Sequence, residues 1–266
     1  MFDDGRLGMT GKYALRFVSL GYLAVLLVAP VSYVFWKTFE HGFGPAWEAV
    51  TTPNAVHALK VTLILTAVAV PANTIFGVLC ALAIVRHRFP GAGIVNAVVD
   101  LPLALSPVVV GLALLLLYGR EGWLGGHGVV FALPGMALAT IFVSLPFVVR
   151  EVVPVLREIG IEQEQAASTL GASSFQTFRR VTFPAIRWAV GYGVVLTTAR
   201  ALGEFGAVSV VSGRLAGETE TLTLHVQDRY QSFDEVGAYA SAVVLALIAV
   251  TTLILMTRLK PKEETQ

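Results

Sequence analysis

Six apolar stretches dominate this chain of 266 residues: 13–36, 58–85, 94–118, 129–149, 188–212 and 237–257. Crossing the hydrocarbon core of a bilayer takes about 20 residues at a rise of about 1.5 Å each, and every one of these stretches is long enough. Backbone in lipid must satisfy its own polar groups, so such runs fold as helices packed against one another. The expectation is an all-α integral membrane protein with six transmembrane helices, forming one transmembrane domain over residues 1–266. Charged residues make up 14% of the chain against 55% hydrophobic ones, and the mean hydropathy is +0.72, far from the balance of a soluble domain. Residues 13–36 follow Arg6, Lys12 and Arg16 as a secretory leader would. They run too long for one and end in Tyr33, Val34, Phe35 and Trp36 without a small-residue cleavage site, so they read as an anchor. Pro102, Pro107 and Gly111 predict bent helices in the third stretch, with a re-entrant turn near residues 119–128 as a further expectation.

Positive charge sets the expected orientation. With the N-terminus inside, the inner segments carry Arg6, Lys12, Arg16, Arg86, Arg88, Arg150, Arg157, Arg179, Arg180, Arg187, Arg258, Lys260 and Lys262. The outer segments carry Lys37, Lys60, Arg120, Arg214 and Arg229. Thirteen against five favours both termini in the cytoplasm. Residues 150–187 then form a long cytoplasmic segment and residues 213–236 an outer loop. That loop holds Glu218, Glu220, Asp228, Asp234 and Glu235, either a surface for a periplasmic partner or simply solvated.

Several chemistries are missing. A net charge of +1 argues against nucleic acid, and the single Cys80 excludes an intramolecular disulfide or a cysteine metal cluster. His41, His57, His87, His127 and His225 are scattered, with no pair four apart around a glutamate, so no metal site is expected. No phosphate-cradling Gly-rich loop ending in Lys and Ser or Thr occurs, so any ATP must be cleaved by another chain. No nucleophile elbow or paired-carboxylate motif stands out, and no catalytic residue is expected.

Arg200 and Glu204 lie mid-way along the fifth stretch, four residues apart and so on one helix face. An unpaired charge there costs about 2.5–3.5 kcal/mol, so the two either pair and fix helix packing or mark a translocation pathway. Gly203 and Gly206 flank Glu204 and permit close helix approach or local unwinding. Asp100, near the start of the third stretch, and Ser106 are further pathway candidates, Asp100 standing close enough to the inner interface to be wet.

The polar interruption between the fourth and fifth stretches is the most informative segment. It reads Gln165-Ala166-Ala167-Ser168-Thr169-Leu170-Gly171, nine further residues, then Val181-Thr182-Phe183-Pro184. Residues 162–170 are mostly good helix formers, Gly171 suits a helix terminus, and Ser173 with Gln176 has the spacing of a capping box opening a second short helix. The result is an elbow over residues 163–184. Phe175 and Phe178 share one face of its second helix, where they either fill a pocket on another protein or pack on their own bundle.

This spacing resembles the cytoplasmic coupling-loop signature of inner-membrane permeases of binding-protein-dependent ABC importers: Glu-Ala-Ala, three residues, Gly, nine residues, an aliphatic, any residue, Leu-Pro. Ala166, Ala167, Gly171, Val181 and Pro184 fall at the family's positions, while Gln165 replaces the usual Glu and Phe183 the usual Leu. Glu164 stands one place early. The run from Thr198 through Arg200, Gly203, Glu204, Phe205 and Gly206 to Gly213 looks like the fifth-span signature of sulfate and thiosulfate permease subunits. Residues 100–112 and 218–226 are similar to the same group. The resemblance implies the type I (MetI-like) importer permease fold, with Gln165, Ala166, Ala167, Gly171, Phe175, Phe178 and Pro184 docking an ATPase. It implies a bacterial inner-membrane complex with a second permease as heterodimer partner, two ATPase subunits that bind ATP and Mg, and a periplasmic sulfate-binding protein. Molybdate permeases share a related Gly-Glu-Phe-Gly pattern, so a molybdate or tungstate importer is the alternative. An intramembrane enzyme using Glu204 or Asp100, and a channel opening without ATP, are further readings from other classes.

Overall fold

A computed structural model describes residues 9–87, 90–125 and 128–259. Arg6, Arg88, His127, Lys260 and Lys262, used above in the charge and histidine readings, lie outside them. The elements among the described residues are all helical, in chain order α1 (Met9–Leu23), a π-turn (Ala24–Val28), α2 (Ala29–Phe39), α3 (Phe43–Thr51), α4 (Pro53–Arg86), α5 (Ala92–Ala104), α6 (Pro107–Tyr118), α7 (Leu133–Ser144) and α8 (Pro146–Glu158). There follow α9 (Glu162–Thr169), α10 (Ser174–Thr177), a π-turn (Phe178–Thr182), α11 (Phe183–Leu202), α12 (Gly206–Val211), α13 (Leu222–Gln231) and α14 (Glu235–Leu259).

Among the described residues four helical runs are long and apolar enough to cross a membrane: Arg16–Phe39, Pro53–Arg86, Leu133–Glu158 and Glu235–Thr252. The pair α5 and α6 passes the same test when taken together and is bent by 110° at its break, the geometry of a broken span or a re-entrant loop. Its cause is local: Pro107 opens α6 and pushes Ser106 out of the helical region, and Leu105 and Ser106 are both extended. The third expected stretch is therefore two short helices broken at Leu105 and Ser106, ahead of the 119–128 segment where sequence placed a turn. The fifth stretch is also interrupted, because α11 ends at Leu202 and α12 starts at Gly206. At 20 residues α11 is about 30 Å long, yet it falls outside the apolar set, since Arg187 and Arg200 lower its hydropathy.

Two apolar clusters stack along α4. Val78 and Ala81 pack with Val148, Val149, Val152 and Leu156 of α8 and Ile186 and Val190 of α11. Val61 and Leu65 pack with Val110 of α6, Met136, Ala139 and Val143 of α7, and Ala207, Val208 and Val211 of α12. Between them the amide of Asn73 donates to the Ile141 carbonyl (3.0 Å) and the Ser144 hydroxyl (2.8 Å), fixing α4 against the α7–α8 junction. Lipid supplies no hydrophobic drive between helices, so close backbone approach matters more. A Cβ on Gly77 would stand 2.7 Å from the Val148 Cβ, and one on Gly193 2.8 Å from the Val148 Cα, so α4 and α11 both press onto the same residue of α8. By contrast, the Arg16–Phe39 run buries none of its most apolar window against the rest of the chain.

Candidate functional site

The elbow forms as the sequence indicates, with its cap geometry complete. Gly171 has φ +84°, the left-handed conformation that glycine takes without a Cβ penalty. It lets the Gly171 N–H reach the Ser168 carbonyl (3.0 Å) and the Ala172 N–H reach the Ala167 carbonyl (3.1 Å), the paired bonds of a Schellman stop. Immediately after it the Ser173 hydroxyl accepts from the Gln176 N–H (3.3 Å) while the Gln176 side chain accepts from the Ser173 N–H (2.9 Å). Four residues separate the end of one helix from the start of the next, and both caps are closed within them, so the tip is held at a fixed angle.

The two phenylalanines part company. Phe175 is 71% exposed, whereas Phe178 is half-buried, packs on the apolar cluster of α4, α8 and α11 and lies 6.0 Å from the Phe183 ring. The π-turn over Phe178–Thr182 carries the chain from the elbow into α11, with Pro184 in that helix's first turn. Leu170, 88% exposed, joins Phe175 as the bulky apolar group presented outward. Beside them a groove of about 300 Å³ is lined by Ala167, Leu170, Gly171, Ala172, Gln176 and Val181 among others. Gln165 and Ala166 are exposed, and Ala167 is half-buried.

Sequence reading passed over what holds α9 in place. The Glu164 carboxylate meets the Arg86 Nε at 3.0 Å and accepts from the Thr182 hydroxyl at 2.8 Å. Arg86 in turn donates through Nη1 to the Leu156 carbonyl at 2.9 Å. The arginine at the last residue of α4 was a readable signal, but its partners come from segments 70 and 78 residues away.

Within the bundle, the breaks in the α5–α6 pair and between α11 and α12 lie side by side. A Cβ on Gly206 would stand 2.7 Å from the Pro107 Cβ, and one on Gly111 2.7 Å from the Ala207 carbonyl. Glu204, 3% exposed, occupies the second break. One of its oxygens accepts from the Ala207 N–H (2.8 Å), the other lies 2.6 Å from the Arg200 Nη1, and its backbone carbonyl accepts from the Thr223 hydroxyl (2.8 Å). The Arg200–Glu204 pair thus exists although the helix does not continue through it. Ser106 is exposed in the first break. Asp100 pairs with Arg150 (2.9 Å) across α5 and α8, away from Arg200.

The 213–236 segment is more than a loop, because it contains α13. Glu218, Asp228, Asp234 and Glu235 are exposed, but Glu220 is 3% exposed and lies 3.2 Å from Nδ1 of the buried His225. The Leu222 N–H donates to the Thr62 hydroxyl (2.8 Å), and the His57 Nε2 lies 3.1 Å from the Glu218 carbonyl. The segment therefore folds down onto the start of α4, and Glu220 is no part of an outer surface. Among the described residues no three His, Cys, Asp or Glu side chains are grouped as metal ligands.

Comparison with known proteins agrees with this arrangement. Residues 73–264 match the family model described as binding-protein-dependent transport system inner membrane component. The sulfate transport system permease protein CysW of Synechocystis sp. is 49% identical over 250 residues, 92% of this chain and 91% of that protein. CysW of Escherichia coli is 45% identical over 262 residues, 96% and 90% of the two chains. The sulfate transport system permease protein CysT of Salmonella typhimurium is 40% identical over 245 residues, 90% and 88%. A crystal structure of a bacterial ABC transporter involved in importing the acidic polysaccharide alginate superposes with a TM-score of 0.78 over 94% of this chain and 96% of that chain. Its 17% identity makes that a likeness of fold. The chain is a multi-pass, all-helical transport subunit, and it belongs to the family of inner membrane components of binding-protein-dependent transport systems.

Proposed function

We propose that this chain is the membrane-spanning permease subunit of an ATP-driven importer that moves sulfate into the cytoplasm. The observation that carries the reading is the elbow: two short helices locked by a Schellman stop and a capping box, presenting Leu170 and Phe175 outward while Phe178 anchors the far side. Two exposed bulky side chains on a rigid tip are a docking surface for a partner, and the missing nucleotide loop makes that partner the ATPase, with its ATP and Mg. The identity with sulfate permeases of the CysW and CysT kinds favours sulfate over molybdate. Relatives under both names favour a heterodimer, and the uncovered Arg16–Phe39 run offers apolar area for the second permease. A periplasmic sulfate-binding protein delivers the anion at the opposite face. In this reading both termini are cytoplasmic and the membrane is a bacterial inner membrane.

Coupling follows from the geometry. Closure of the ATPases displaces the elbow, and the bundle rocks as packed units because tightly packed interfaces have discrete arrangements. Arg200 is neutralised by Glu204, so the pair holds the α11–α12 break; the anion's path runs by Ser106 and the exposed backbone of the neighbouring break. The test is reconstitution of the permeases, ATPases and binding protein in proteoliposomes with labelled sulfate. Uptake should require ATP and the binding protein and resist excess molybdate. Uptake without ATP, or competition by molybdate at equal concentration, would overturn the reading.

A further inference from the structure

The elbow's first helix has little apolar burial to hold it. None of the α9 residues is buried, and at eight residues it is too short to be stable alone. Phe175 already connects to α11 through α10 and the π-turn, but force applied at Leu170, just past the end of α9, needs a path into the bundle other than burial of α9. One polar junction offers it. The Arg86 Nε straddles both Glu164 carboxylate oxygens, at 3.0 and 3.2 Å, while its Nη1 binds the carbonyl of Leu156 in the last turn of α8. That carbonyl is one a helix C-terminus leaves unpaired, and a guanidinium there also suits the helix dipole. Glu164 further accepts from Thr182, a buried residue of the π-turn that leads into α11. The two side chains are 11% and 22% exposed, so this is no freely solvated surface pair. Arg86 and Glu164 also line an open pocket of about 330 Å³ between the end of α4 and the elbow, with Leu82, Ser168, Thr177 and Phe178.

We propose that Arg86 and Glu164 are a transmission pin: positioning residues that make the elbow, the inner ends of α4 and α8 and the start of α11 move as one body. The inference rests on the coupling reading above and adds the route by which ATPase motion reaches the spans. Docking and transmission are then separate, with Leu170 and Phe175 gripping the motor and the pin carrying its stroke.

Glu164→Gln tests this, because it keeps shape and the acceptor for Thr182 while removing the charge. In the reconstituted complex the ATPases should still co-purify and hydrolyse ATP, while sulfate imported per ATP falls about tenfold, within the range of site-to-site coupling. Glu164→Arg should be worse, and adding Arg86→Glu to it should restore part of the ratio. An unchanged ratio, or import and hydrolysis falling in proportion, would overturn the pin. A second measurement needs no transport: amide hydrogen exchange over residues 162–169 of the purified complex should quicken in Glu164→Gln, and unchanged exchange would also overturn it. If the wild-type complex fails ATP-dependent uptake while Glu164→Gln still quickens exchange, the sulfate-importer reading falls and the pin stands.

Discussion

At the scale of single residues, the intramembrane pair shows how spacing and continuity differ. Arg200 and Glu204 were legible because four positions bring side chains together on a helix. They meet at 2.6 Å even though α11 ends at Leu202, because Glu204 is turned inward by its bond to the Ala207 N–H. The two partners are unequal, with Glu204 side chain 2% exposed and Arg200 29%. Removing the cation leaves a buried carboxylate uncompensated, a change that costs about 3–5 kcal/mol. Glu204→Gln keeps an acceptor for Ala207 and leaves a guanidinium that reaches water, so its cost is lower, about 1–3 kcal/mol. Thermal unfolding of the detergent-solubilised complex should therefore rank Arg200→Met below Glu204→Gln. The double variant should melt above Arg200→Met alone. Equal melting of all three would mean that the pair does not hold the break.

At the scale of elements, the elbow was legible and its anchoring was not. Gly171, Ser173 and Gln176 carry local signals, since caps and stops are made by residues within a few positions of one another. Glu164 carries none, because Arg86, Leu156 and Thr182 reach it only through the folded bundle. For the same reason Pro107 announced a bend in the third stretch while its size of 110° did not follow from it. The α13 segment read as a loop because its polar residues hide contacts to Thr62 and His57, about 160 positions back. A consequence at this scale concerns the two rings. Phe175→Ala should release the ATPases during purification and leave the melting temperature of the permease pair unchanged. Phe178→Ala should destabilise by about 1.5–3 kcal/mol through lost burial, with docking reduced only as folding is. Co-purification and melting measured on the same samples separate the two, and identical behaviour would dissolve the division between grip and anchor.

At the scale of the whole molecule, one helix fixes how its two ends relate. With 34 residues α4 is about 50 Å long, more than the hydrocarbon core requires. Its last residue, Arg86, holds the elbow, and its first turns, through His57 and Thr62, hold the 213–236 segment. In the proposed reading, in which α4 crosses the bilayer, elbow and segment lie on opposite sides whichever way the protein inserts. The charge asymmetry of the sequence is the argument for the proposed side, with thirteen Lys and Arg expected beside the elbow and five on the other face. Cys80 is the sole cysteine and is buried, so a Cys80→Ser background admits clean labelling. In it, Gln231→Cys, exposed at the end of α13, should react with a membrane-impermeant maleimide in intact spheroplasts. Glu158→Cys, exposed at the end of α8 beside the elbow, should react only after permeabilisation. The reverse pattern would put the elbow outside, out of reach of any cytoplasmic ATPase. Labelling of both sites in intact cells would deny that α4 spans the bilayer.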